Sequence, residues 1–131
     1  MDTSATPIQN FVYRERLEQA KRVMEGLSEQ QRLRNFNVGL YAIQSDEGVV
    51  ACIAGHCGLD PWFQERGFFT TVGRETGTVS VYPSEFFGTA DPFFASNYGK
   101  SVVTFEDAIC ALNRAINLFA DAPSTSQAVA R

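Results

Sequence analysis

Three residues near the middle of the chain can act as nucleophile, base or metal ligand: Cys52, His56 and Cys57, in the stretch Val49-Val50-Ala51-Cys52-Ile53-Ala54-Gly55-His56-Cys57-Gly58-Leu59. His56 is the only histidine, and the third cysteine, Cys110, lies far along the chain. On a helix, Cys52 and His56 stand at i and i+4 and can touch. Two chemistries follow. An imidazole can lower a thiol's pKa and act as its base, which would make Cys52 a nucleophile. Alternatively, Cys52, His56 and Cys57 could hold a metal, but structural zinc takes four ligands, usually in Cys-x₂₋₄-Cys pairs, and Cys-x-x-x-His-Cys is not such a pair. Against the nucleophile, a buried helix interior offers no oxyanion hole or substrate path. A third reading outweighs both: the cysteines are small buried hydrophobes, and His56 donates a ring hydrogen to a backbone carbonyl. The sequence therefore assigns no catalytic residue, metal or cofactor, and an enzyme or metal protein using Cys52/His56 stands as the alternative.

These residues need an element to position them. The run is free of charge and follows Ser45-Asp46-Glu47, which reads as a helix start, so the expectation is a short buried helix. One side of that helix, Ala51, Ala54, Gly55 and Gly58, has almost no bulk and invites a second helix. Each glycine costs about 1 kcal/mol against alanine in a helix interior, so close packing must offset it, and a larger residue at Gly55 should destabilise the fold.

Around this centre, Tyr13, Leu17, Ala20, Met24 and Leu27 recur at helical spacing and predict a helix from Gln9 to Glu25, stopped by Gly26. Ser28 with Gln31, and Thr104 with Asp107, are capping boxes; the second opens a helix with the stripe Phe105, Ala108, Ile109, Leu112, Ala115, Ile116 and Phe119. Cys110, Asn113 and Asn117 lie off that stripe. Residues 35–41 read as a strand or an irregular segment. Asp60-Pro61 starts a helical turn, 68–82 reads as a hairpin around Gly73 to Gly77, and Pro83 to Gly88 makes another turn, with one more at Asp91-Pro92. The expected fold is mainly α (α+β): a compact helical domain with a buried central helix, held between the N- and C-terminal helices, and one small β-hairpin. It comprises a flexible arm at 1–8, a single globular domain at 9–120 and a flexible tail at 121–131.

Composition narrows the function. A net charge of −4 and a pI near 4.9 argue against binding nucleic acid through its phosphates. The early basic residues Arg14, Arg16, Lys21, Arg22, Arg32 and Arg34 are interleaved with glutamates, the pattern of an ion-paired helix face. Gly99-Lys100-Ser101 matches only the end of a phosphate-loop pattern. The acid pairs Asp46-Glu47 and Glu106-Asp107 fall where helix capping accounts for them. No apolar run approaches the roughly 20 residues needed to span a bilayer, and Met1 to Pro7 has no leader character. An odd number of cysteines suggests reduced thiols. The expectation is a cytoplasmic protein with no membrane or nucleic-acid partner.

Four aromatic doublets, Trp62-Phe63, Phe68-Phe69, Phe86-Phe87 and Phe93-Phe94, lie between residues 62 and 94. They either fill a core built of short elements or leave one ring of each pair exposed to a protein partner or a second copy.

At residues 47–56 and 59–63 the chain resembles a group of small uncharacterised bacteriophage and bacterial proteins. These carry a Cys-Gly-Thr-x-x-Cys-Ile-Ala-Gly-His/Trp segment, an Asn-Phe-Asn/Asp-Met-like stretch before it (here Asn35-Phe36-Asn37-Val38) and a Phe-Phe-Gly segment after it (here Phe86-Phe87-Gly88). The likeness covers roughly residues 35–120 and implies no activity. Glu47 stands where the group has its first cysteine, which breaks any metal or redox pair there. The function expected is a small protein-interaction domain, phage-encoded and modulating a host protein through Trp62, Phe63, Phe68, Phe69, Phe86, Phe87, Phe93 and Phe94.

Overall fold

The computed structural model describes residues 7–37, 41–46, 48–75, 77–93, 98–99 and 103–119. The expected arm before Pro7, the tail after Phe119, the middle of the 35–41 segment and Phe94 lie outside them. The fold is mainly helical, α+β, and is built largely by local rules. Helix α1 (Pro7–Glu25) starts on proline at its first position and ends before Gly26. Its face Leu17, Ala20 and Met24 is fully buried. Arg32 completes its end from outside: the guanidinium donates to the Glu25 and Leu27 carbonyls at 2.7 and 3.1 Å, groups a helix end leaves without partners. Both capping boxes form, Ser28/Gln31 opening α2 (Glu29–Arg34) and Thr104/Asp107 opening α6 (Phe105–Leu118).

The central stretch departs from expectation. Its first part is strand, with β1 (Ile43–Ser45) and β2 (Gly48–Val50) forming an antiparallel hairpin. Ser45 and Asp46 serve its turn rather than a helix cap: the Ser45 hydroxyl donates to the Gly48 carbonyl at 2.7 Å, and Gly48 sits at φ 104°, which glycine adopts freely. Only Ile53–Cys57 is helical (α3), and its N-cap is Cys52, whose sulfur accepts from the Gly55 N–H at 3.4 Å.

Helix α4 (Pro61–Gln64) is capped by Asp60 as the sequence predicts. The hairpin expected at 68–82 is present as β3 (Thr70–Thr71) and β4 (Thr78–Val79), so there are two strand pairs where one was expected. Helix α5 (Pro83–Phe87) ends on Gly88 in the left-handed region, and Asp91-Pro92 makes a turn rather than a helix.

Helix α1 packs against α6, α3 and α5 together, while α3 leans on β3 and β4. The central helix is therefore not held between the terminal helices, because α1 and α6 meet directly. The small face of α3 does admit a close neighbour, but that neighbour is main chain rather than a helix. A Cβ on Gly55 would run into the Tyr41 carbonyl, and one on Gly58 would run into Thr70.

The core centre is aromatic. Phe63, Phe68, Phe86, Phe87 and Phe93 are buried, with neighbouring ring centroids 4.4–6.0 Å apart. Arg16 closes this cluster, its guanidinium 3.9 Å from the Phe86 ring centroid and donating to the Phe86 carbonyl at 2.7 Å. Burial lowers the Arg16 pKa from its very high ordinary value.

Candidate functional site

Cys52 and His56 are brought close in the chain but engage different groups. Cys52 is buried with its sulfur occupied by the Gly55 N–H, and burial pushes its thiol up to about 11. At pH 7 that leaves a thiolate fraction of ~10⁻⁴, and the thiolate is the reactive form. Cys57 is fully buried and its thiol is held well above its ordinary value, mainly by burial and then by Cys52 and Asp60. Cys110 is exposed, and all three thiols are free. Among the described residues no three His, Cys, Asp or Glu side chains gather as a metal-binding set.

His56 turns the other way. Its Nε2 lies 2.8 Å from the Asn35 carbonyl oxygen, which can only accept, so Nε2 carries the proton. Burial lowers the His56 pKa, and the Asn35 hydrogen bond offsets part of that effect. Asn35 is the only buried polar residue among those described. Its carbonyl also accepts from the Ala51 N–H at 3.0 Å, and its side chain donates to the Val49 carbonyl at 3.1 Å. One residue at the end of α2 thus ties β2 and α3 together, and places His56 in an open cleft of about 700 Å³ between α2, the β1–β2 turn and α3.

The aromatic doublets divide unevenly. Phe63, Phe68, Phe86, Phe87 and Phe93 belong to the core, which corrects their assignment to an interaction surface: each short element is enclosed on several sides, so adjacent rings such as Phe86 and Phe87 are both buried. Trp62 is half-buried, with the Arg66 guanidinium 3.6 Å from its ring centroid. Phe69 is 50% exposed.

A second open surface among the described residues lies at the second hairpin. Along Thr78-Val79-Ser80-Val81-Tyr82 exposure alternates, with Val79 and Val81 turned toward the core and Thr78, Ser80 and Tyr82 outward. Tyr82 is 68% exposed. The Ser80 N–H donates to the Phe69 carbonyl at 2.9 Å, so Phe69 and Ser80 form a hydrogen-bonded pair and the next pair, Thr70 and Val79, is non-bonded. Thr70 accordingly turns its N–H away, to the Gly58 carbonyl at 3.1 Å, which covers the outer edge of β3. Val79 turns its N–H and C=O the opposite way, into a groove of about 570 Å³ walled by Tyr41, Tyr82 and Glu85. Sequence reasoning missed Tyr41, Val79, Val81 and Tyr82. The alternation from Thr78 to Tyr82 was the available signal, but which edge stays open depends on the distant Gly58. No protein-family model matches the chain, and searches of curated proteins and of solved structures find no significant relative.

Proposed function

We propose that the chain is a small protein-interaction domain that receives an extended segment of a partner protein as an added strand on the outer edge of β4. Two observations carry this reading: the ladder alternation turns the Val79 N–H and C=O away from β3, and Val79 lines a groove with Tyr41 and Tyr82. An edge of this kind recognises a strand through main-chain hydrogen bonds, and side-chain pockets supply the specificity. The segment from Thr78 to Tyr82 carries no charge, so it lacks the lysine that commonly blunts a free edge. Glu85 at the groove favours a partner strand with a basic residue near one end. The resemblance to phage and bacterial proteins makes a bacterial host protein, in the cytoplasm where thiols stay reduced, the partner to seek first.

The test is capture from bacterial lysate by the wild type, Val79→Pro and Tyr82→Ser, followed by hydrogen exchange on the captured complex. Proline at 79 removes an outward N–H without breaking the β3–β4 ladder. The expected result is slowed exchange at the amides of Val79 and Val81 in the complex, with capture reduced about tenfold or more by each substitution and thermal stability retained. A complex that leaves those amides exchanging as in the free protein would sink the reading. Pairing between two copies of the chain would show instead as exchange that slows with concentration and without lysate.

A further inference from the structure

The cleft that holds His56 has a chemistry independent of the β4 edge. Because Nε2 donates to Asn35, the neutral ring has its lone pair on Nδ1. No buried side-chain nitrogen or oxygen among the described residues lacks a hydrogen-bond partner, and the ring's one hydrogen bond is made through Nε2. Nδ1 therefore reaches solvent, and the cleft is the open space that His56 lines. Across the cleft stands α2. The Ser28 oxygen accepts from the Gln31 N–H, and the Gln31 Oε1 accepts from the Ser28 N–H, which commits their acceptors and leaves the Ser28 O–H and the Gln31 NH₂ as donors. Gln30 adds an exposed amide. Among the described residues that line the cleft, none other than His56 has a side chain that can ionise. The cleft thus offers an acceptor and several donors, and its described lining carries no ionised side chain.

We propose that this cleft is a binding site for a small neutral molecule bearing an amide or lactam, whose N–H donates to His56 Nδ1 and whose C=O accepts from the Ser28 and Gln31 donors. A carboxylate is disfavoured, because a bare lone pair on Nδ1 repels it. An ammonium is disfavoured because none of the described residues lining the site bears a carboxylate.

The experiment uses the full ¹⁵N-labelled chain and two probes, acetylglycinamide and its fully N-methylated counterpart, which keeps the carbonyls but has no N–H. Long-range proton–nitrogen spectra read both ring nitrogens of His56. The expected result is a pyridine-type Nδ1 signal in the free protein that moves upfield, saturably, with acetylglycinamide, while Nε2 stays in place and the methylated probe has no saturable effect. Gln30→Ala, an exposed change, should leave the fold intact. His56→Phe removes the ring acceptor and should weaken binding of acetylglycinamide about two- to tenfold, the worth of one neutral hydrogen bond. A free protein with the proton on Nδ1, an Nδ1 signal that does not respond to acetylglycinamide, or equal saturable responses to both probes would each overturn the proposal.

Discussion

Replacing Gly55 with alanine is the sharpest test of how α3 is seated. The added Cβ would fall 2.6 Å from the Tyr41 carbonyl carbon and 2.8 Å from the Ala51 Cβ, and closer still to the Tyr41 oxygen. A side chain can rotate out of such a contact; a main-chain carbonyl must move with its whole segment. The clash therefore belongs at the upper end of the roughly 1–3 kcal/mol seen for overpacked cores. Alanine regains about 1 kcal/mol over glycine in a helix, which leaves a net loss of about 2 kcal/mol. For a chain of this size that corresponds to a fall of about 6–10 °C in Tm. Gly26→Ala is the control: its Cβ would sit at an ordinary 3.4 Å from the Arg22 and Val23 carbonyl oxygens, and stability should change by less than about 0.5 kcal/mol. Urea and thermal unfolding of the three proteins, followed by circular dichroism, give both numbers. If Gly55→Ala matches or exceeds the wild type in Tm, the Tyr41 main chain does not lie against α3 and the account of the central stretch is wrong.

Phe87 is fully buried, with the Phe93 ring centroid 4.4 Å away; Phe87→Ala should cost about 3–5 kcal/mol and leave much of the chain unfolded in chemical denaturation, whereas Phe69→Ala should stay within about 0.5 kcal/mol. Iodoacetamide at neutral pH should add one carbamidomethyl group, at Cys110, with Cys52 and Cys57 labelled only after denaturation; rapid labelling of Cys52 in the native protein, read by peptide mass mapping, would contradict its burial. The lowered His56 pKa means that the unfolded chain binds a proton here more readily than the folded one. The stability that His56 contributes is complete above the ordinary value of 6.5 and is lost as pH falls through the lower folded value. Unfolding free energy should therefore drop between neutral and mildly acidic pH, and His56→Gln should flatten that drop; an unchanged slope in the variant would assign it to other groups.

How far the sequence could be read follows the range of the interactions involved. The capping boxes at Ser28 and Thr104 and the Asp60-Pro61 start are satisfied within three residues, so they were legible. The stripes of α1 and α6 were legible too, because one helix carries its whole periodic pattern. The central stretch was misread because Ser45-Asp46-Glu47 resembles a helix start and a hairpin turn equally well. Gly48 decides for the turn by taking a positive φ. Cys52 escaped notice as an N-cap because cysteine is not among the usual capping residues. His56 was correctly expected to donate a ring hydrogen to a backbone carbonyl, although nothing local identifies Asn35, 21 residues earlier, as the acceptor. The open edge of β4 was invisible for the same reason: among the described residues Gly58 covers β3 and no main-chain group pairs in the same way with Val79.

The direct packing of α1 on α6 also bears on how the chain is made. Phe105 follows Glu25 by 105 − 25 = 80 residues, and at about 5–20 residues per second synthesis needs roughly 4–16 s to cover that distance. For that interval α1 has emerged without the helix it packs against. The nascent chain thus shows part of the apolar face of α1 before it is a fold, and a stop codon ahead of α6 would leave α1 without that partner.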